Sequence, residues 1–182
     1  MRIIAGKYKG KVLSEFKLSS TRPTADMVRE ALFDKIGLDV SGKTFLDLFA
    51  GTGAVGIEAI SRGAKFCHFV DSQKEAINLI RSNIKKTDAQ NYEIVFSSFE
   101  VALKNFAKSQ TRFDFVFLDP PYATDFAETA INLIEKYDLL CDDGLLIWEH
   151  DSTKEEYIKS NFQDYITKRY GKKYLTYIYK NK

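Results

Sequence analysis

Only three residues, Gly171-Lys172-Lys173, separate the last two β-rich runs of the chain, Tyr165–Tyr170 and Tyr174–Tyr179. No crossover helix fits in that space, so the pair must form an antiparallel hairpin. Upstream the pattern is different. Apolar runs at Thr44–Leu48, Phe66–Val70, Glu93–Phe96, Phe113–Leu118 and Gly144–Glu149 are spaced widely enough for helices between them. Two of the intervals carry a 3.6-residue period, in Ala76, Ile77, Ile80 and Ile84 and again in Phe126, Ala130, Leu133 and Ile134. This predicts an α/β fold: a mostly parallel, Rossmann-like sheet with helices on both faces and a C-terminal antiparallel hairpin at its edge.

At 182 residues, 45% apolar and 29% charged, the chain is long enough to bury one core and too apolar to be disordered. No apolar run approaches membrane-spanning length, and the start turns basic before a signal-peptide core could form. Cys67 and Cys141 sit far apart in apolar runs and read as reduced thiols, which suits a cytoplasmic location. With only two histidines and no metal-ligand spacing, no metal is expected.

Net charge is +2, but residues 1–24 hold six Lys/Arg against one acid, and residues 165–182 hold six against none. The stretch between carries 15 basic and 24 acidic residues. Such basic ends suit a polyanion if folding brings them together. We read residues 1–24 as an extended or hairpin-like arm and 25–182 as the catalytic domain, in one structural unit. Thr24 is expected to cap a helix presenting Val28, Ala31, Leu32 and Ile36 on one face, with Asp26 near its positive end.

The first strand runs into Asp47-Leu48-Phe49-Ala50-Gly51-Thr52-Gly53-Ala54-Val55-Gly56 and then a helical stretch to Arg62. Glycines there allow a tight turn and close approach of a ligand. Asp71 stands twenty residues beyond Gly51, at the end of the second strand, where a carboxylate can accept from ribose hydroxyls. This is a nucleoside-cofactor site. The spacing of Gly51, Gly53 and Gly56 also matches a dinucleotide loop, but Asp47 would repel a pyrophosphate and attract the ammonium of S-adenosylmethionine.

The fourth strand delivers Asp119-Pro120-Pro121-Tyr122 at its C-terminal end, the ligand-binding edge of an open α/β sheet. Two prolines stiffen this loop and remove two N–H donors, leaving acceptors toward a substrate. An exocyclic amine presents N–H donors, so acceptors orient it and stabilise the charge it gains on attack. Tyr122 offers a face for a stacked base. The chemistry indicated is methyl transfer to a nucleobase amine, and no cysteine beside the motif supports attack on a pyrimidine carbon. An adenine-N6 methyltransferase, a nicotinamide-dependent oxidoreductase and an idle RNA-binding module are the competing readings.

With Arg2-Ile3-Ile4-Ala5-Gly6, Thr21-Arg22-Pro23-Thr24, Asp26–Phe33, Asp47–Gly56, Asp119–Tyr122 and Trp148-Glu149-His150 in place, the chain resembles the bacterial small-subunit (16S) ribosomal RNA guanine-N2 methyltransferases of the RsmD type, over nearly its whole length. Parallel strands ending in an antiparallel hairpin fit the class I S-adenosylmethionine-dependent fold of such enzymes. The resemblance implies cofactor contacts from Asp47, Phe49, Ala50, Gly51, Gly53, Gly56 and Asp71, and an amine site at Asp119–Tyr122. It implies that Arg22 and Thr24 lie against the cofactor pocket and that Arg22 also borders the RNA path. Where such enzymes often carry an acid near the adenine amino group, this chain has Ser97-Ser98-Phe99, leaving Ser98 to accept that hydrogen bond. Trp148 and His150 are read as support for the fifth strand. Ribosomal RNA, or the assembling small subunit, is the implied partner. Arg2, Lys7, Lys9 and Lys11 are expected to join Lys168, Arg169, Lys172 and Lys173 in one basic surface around the catalytic mouth.

Overall fold

Seven strands pair into one sheet in the order β3-β2-β1-β4-β5-β7-β6. The computed structural model describes residues 1–16, 23–37 and 40–180, including the side chains of all of these but 23–25. The strands are β1 (Thr44–Asp47), β2 (Phe66–Asp71), β3 (Tyr92–Phe96), β4 (Phe113–Leu118), β5 (Leu140–His150), β6 (Tyr165–Tyr170) and β7 (Lys173–Tyr179). The first five are parallel, and β7 runs antiparallel to both β5 and β6. Strand order reverses between β1 and β4, which opens a crevice above their C-terminal ends.

Alternate residues of each strand serve opposite faces, and the two faces carry separate cores. On one face Phe45, Cys67 and Phe69 pack with α1 (Pro23–Ile36), α2 (Ala54–Ser61) and α3 (Lys74–Ile84). On the other, Leu46, Val70 and Val116 pack with α4 (Phe99–Lys108), α5 (Phe126–Lys136) and α6 (Glu155–Asn161). Helix α3 buries Ala76, Ile77, Ile80 and Ile84 as their period requires. Helix α4 escaped the sequence reading although Phe99, Ala102, Leu103 and Phe106 make the same kind of stripe.

Several strand ends shift by a residue, and three expectations change by more than that or in kind. Helix α1 begins at Pro23, not after a Thr24 cap, because proline is pre-set for the first helical position and needs no N–H there. The buried stripe of α5 is Ala127, Ala130, Ile131 and Ile134, which leaves Phe126 43% exposed at the crevice. Strand β5 starts four residues early, at Leu140, with a register shift opposite Phe113 and Phe115.

The N-terminal residues fold back as a hairpin. The Ile3 amide donates to Lys11 O at 3.0 Å, and the Gly10 amide to Ile3 O at 2.9 Å. Ile3, Tyr8 and Leu13 are buried in the same core as α1 to α3. Glu58, fully buried in α2, accepts from the Ile4 and Ala5 amides at 2.8 and 2.9 Å, so the hairpin is hydrogen-bonded to the domain as well as packed on it. Both cysteines are free thiols, Cys67 buried and Cys141 partly so.

Candidate active site

Strand β1 ends on Asp47, and the chain turns through the glycine loop into α2. Gly53 caps that helix in a left-handed conformation (φ 75°) that side chains resist. Gly56 has a different reason to be glycine: a Cβ there would stand 2.3 Å from the Phe69 ring and 2.7 Å from Cys67 Sγ. It lets α2 press against β2, and neither Gly53 nor Gly56 reaches the cavity wall. Both glycines shape the loop that brings Gly51 to the cavity.

Two carboxylates hold this loop. Asp47 is buried and accepts from the Gly56 amide at 2.9 Å. Burial pushes its carboxyl up to about 7, against the pull of the Gly56 N–H, with the Asp71 charge adding to the rise. Asp71 accepts from the Gly51 amide at 2.9 Å and, through its other oxygen, from the Gln73 amide at 2.8 Å. It therefore ties the loop to the start of α3 while keeping lone pairs for a ligand.

Above these strand ends lies a cavity of about 640 Å³. Of the expected site residues, Phe49, Gly51, Asp71, Ser98, all four of Asp119–Tyr122 and Lys173 line it. One wall is an aromatic row: Phe49 to Phe99 with ring centroids 5.3 Å apart, and Phe99 to Phe126 at 5.4 Å. A second cavity of about 250 Å³ shares Phe49, Gly51, Asp119 and Lys173 with the first, and adds Asp47, Ala50, Arg29 and Glu149. The two are neighbouring lobes of one crevice, the larger apolar on one side and the smaller strongly charged.

Asp119 is exposed to this crevice. Its carboxyl is pushed up to about 8, first by loss of water around it and then by Glu149, with Lys173 opposing and Asp47 adding. Because cavity water still reaches the side chain, the full rise belongs to the crevice once a ligand covers it. Glu149, 4% exposed at the end of β5, accepts from Tyr122 Oη at 3.0 Å and is ion-paired with Lys173 Nζ. Tyr122 is thus fixed by its hydroxyl while its ring stays 38% exposed, and burial with the Glu149 charge holds that hydroxyl above its usual range. Glu149 was not among the expected site residues. Its signal was an acid directly after the apolar run Leu145–Trp148, at the C-terminal end of a strand. Trp148 is buried, and His150 hydrogen-bonds Thr176 Oγ1 at 2.7 Å and Asp151 O at 2.6 Å, so both brace β5.

The two sets of basic residues separate. His150 at the end of β5 pairs with Tyr174, so the β6–β7 turn lies at the same sheet edge as Asp119. Lys168, Arg169 and Lys172 are exposed there, and Lys173 lines the crevice itself. The N-terminal lysines sit elsewhere. The Lys7 amide donates to Ser61 O at the far end of α2, Lys7 Nζ pairs with Asp88 at 3.0 Å, and Lys11 Nζ donates to Lys86 O at 2.6 Å. These partners mark the N-terminal edge of the strands, opposite Asp119. The expected continuous surface is corrected accordingly: Lys7, Lys9 and Lys11 are not at the mouth, because the hairpin docks on the feet of α2 and α3. Exposed Arg2 donates to Gly10 O at 3.0 Å within that hairpin. Arg22 lies outside the described residues, and Thr24 falls in the first turn of α1 with its side chain outside them. Among the described residues no cluster of His, Cys, Asp or Glu could hold a metal ion, and no helix is long and apolar enough to cross a membrane.

The family model described as Conserved hypothetical protein 95 matches residues 1–179. The chain belongs to that family. It is 42% identical over 156 residues to YlbH of Bacillus subtilis (strain 168), covering 85% of each chain. It is 35% identical over 156 residues to ribosomal RNA small subunit methyltransferase D of Haemophilus influenzae, covering 85% of this chain and 80% of that one. The solved structure of yhhF from Escherichia coli superposes with a TM-score of 0.84 at 30% identity, covering 100% and 99% of the two chains. The sheet is the Rossmann-like one of S-adenosylmethionine-dependent methyltransferases. The crevice fits that cofactor: Asp71 for ribose hydroxyls, the aromatic row for a purine, and Asp47 for an ammonium. A pyrophosphate would instead meet the charges of Asp47, Asp119 and Glu149 in the smaller lobe.

Proposed function

We propose that this protein transfers a methyl group from S-adenosylmethionine to the exocyclic N2 amine of a guanine in small-subunit ribosomal RNA, in the cytoplasm where ribosomes assemble. Membership of the family and the name of its Haemophilus relative support the coarser reading of a methyltransferase acting on ribosomal RNA. The observation that carries the finer reading is that Asp119 and Lys173, itself ion-paired with Glu149, both line the crevice. Guanine presents N2–H and N1–H side by side, two donors for one carboxylate, with the O6 acceptor beyond them for a cation. Adenine offers its amine next to an acceptor nitrogen, which a carboxylate repels.

S-adenosylmethionine, when bound, supplies an electrophilic methyl on a sulfonium. The chain's own residues do the positioning. Asp119 accepts from the amine and orients its lone pair, in a loop from which Pro120 and Pro121 have removed two competing donors. As the nitrogen gains positive charge, the carboxylate stabilises it. A group whose pKa has been pushed up to about 8 is also a competent acceptor for the proton the nitrogen then sheds. Tyr122, held by Glu149, gives the flipped base a fixed stacking face. Lys168, Arg169 and Lys172 hold flanking phosphates without reading sequence. The test is a comparison of small-subunit ribosomal RNA from cells with and without the protein. Loss of one N2-methylguanosine supports the reading, and an unchanged set of methylated guanosines contradicts it.

A further inference from the structure

The loop that carries Asp119 has few means of holding itself in place. Residues 119–125 join β4 to α5, and Pro120 and Pro121 remove two backbone donors from them. Pro121, Tyr122, Ala123 and Asp125 are exposed. The Thr124 amide and hydroxyl both donate to Pro121 O, at 3.2 and 2.7 Å, which closes a turn but ties it to nothing outside the loop. Asp125 adds no side-chain cap to α5. Anchors must come from elsewhere, and a backbone left mainly with carbonyls needs a donor. Glu149 takes the Tyr122 hydroxyl from one face of the sheet. Its neighbours Trp148 and His150 point to the other face. There, with Lys154, they line a gap of about 10 Å³ beneath Pro120, Pro121 and Thr124. Lys154 ends the turn Ser152–Lys154, which Asp151 fixes by accepting from the Thr153 amide at 2.9 Å. Its side chain is 16% exposed, and its ammonium donates to Thr124 O at 3.3 Å and to Glu128 Oε1 of α5 at 2.6 Å. Lys154 lines neither lobe of the crevice, so it acts on the loop and not on a ligand.

We propose that Lys154 is a positioning residue for methyl transfer: with Glu149 on the opposite face, it clamps the Asp119–Tyr122 loop so that Asp119 meets the amine in one orientation. The role rests on the methyl-transfer reading above. Both clamps come from the end of β5 and the turn after it, so one segment grips the loop at Tyr122 and at Thr124. The competing reason for a lysine here is Glu128, whose Oε2 is buried without a hydrogen-bond partner and which would be left as an unpaired charge.

The chain's single tryptophan gives a readout independent of turnover, because Trp148 is 1% exposed and lines the gap under the loop. Lys154→Met should lower kcat about tenfold to a hundredfold, the scale of loss when a catalytic group is misplaced by about an ångström. The KM for RNA and the cofactor affinity by calorimetry should stay at wild-type values, while acrylamide quenches Trp148 more readily as the loop lifts. Lys154→Arg, which keeps a donor, should recover both kcat and the shielding of Trp148. The double variant Lys154→Met with Glu128→Met leaves no unpaired buried carboxylate and so separates the two roles. Thermal stability lost in Lys154→Met should return in it, but kcat and shielding should not. Return of kcat together with stability overturns the proposal, as does a loss confined to KM or a lowered kcat with unchanged quenching. If Lys154→Met does not fold, as judged by circular dichroism, the double variant carries the same test. If the wild type methylates no ribosomal RNA, the function proposed above falls, and the quenching of Trp148 alone decides the clamp.

Discussion

Replacing Glu149 by Gln removes the charge that most raises Asp119 after loss of hydration, while keeping the shape of the β5 end. Asp119 must be ionised to accept from the amine, so activity should rise with pH as it titrates. Deleting a neighbouring anion lowers that titration point, and freeing Lys173 from its ion pair acts in the same direction. Contact with a single charge moves a carboxyl by roughly 1–3 pH units in a dry site. Asp119 is open to cavity water, so the lower end, about 1 pH unit or about 1.4 kcal/mol, is expected. On the acidic limb the variant should therefore hold up to roughly ten times more of the ionised form than the wild type. The assay is kcat/KM for labelled methyl transfer across pH, normalised to each enzyme's plateau. Normalisation separates this effect from the lower plateau expected when Tyr122 loses its anchor. An acidic limb that stays in place or moves to higher pH would refute the electrostatic account of Asp119.

Asp119→Ala should cost about 10²–10³ in turnover, the usual loss for one electrostatic stabiliser, with cofactor affinity nearly intact by calorimetry. Asp71→Ala should weaken cofactor binding by roughly 1–3 kcal/mol, part of it from the freed Gly51 and Gln73 amides; unchanged affinity would take Asp71 out of the site. Neutralising Lys168, Arg169 and Lys172 together should weaken RNA binding and flatten its salt dependence, whereas neutralising Lys7, Lys9 and Lys11 should leave the salt slope unchanged. The reverse result in a filter-binding titration would place the RNA path on the N-terminal hairpin.

The alternation of apolar runs was enough to give the parallel strands, and the three-residue gap at Gly171 was enough to give the edge hairpin, because both follow from local chain geometry. Asp71 and Asp119 were legible for the same reason: each ends a strand, and strand ends meet at one sheet edge. Glu149, Arg29 and the role of Lys173 were not, since each depends on a partner more than twenty residues away. The packing role of Gly56, which lets a helix approach Phe69, was not legible because motif spacing does not contain it. The N-terminal lysines were placed at the mouth on charge alone. Hydrogen bonds to Ser61 and Lys86, which no charge count contains, put them at the opposite edge.

The central claim is that the Asp119 loop accepts a guanine amine. Its most direct test is to incubate the purified protein with labelled S-adenosylmethionine and small-subunit ribosomal RNA, both naked and in assembled particles, and to identify the labelled nucleoside by mass spectrometry after digestion. The account predicts label in N2-methylguanosine, lost in the Asp119→Ala variant. Label in N6-methyladenosine or in a carbon-methylated pyrimidine would contradict it, as would N2-methylguanosine formed at an undiminished rate without the Asp119 carboxylate.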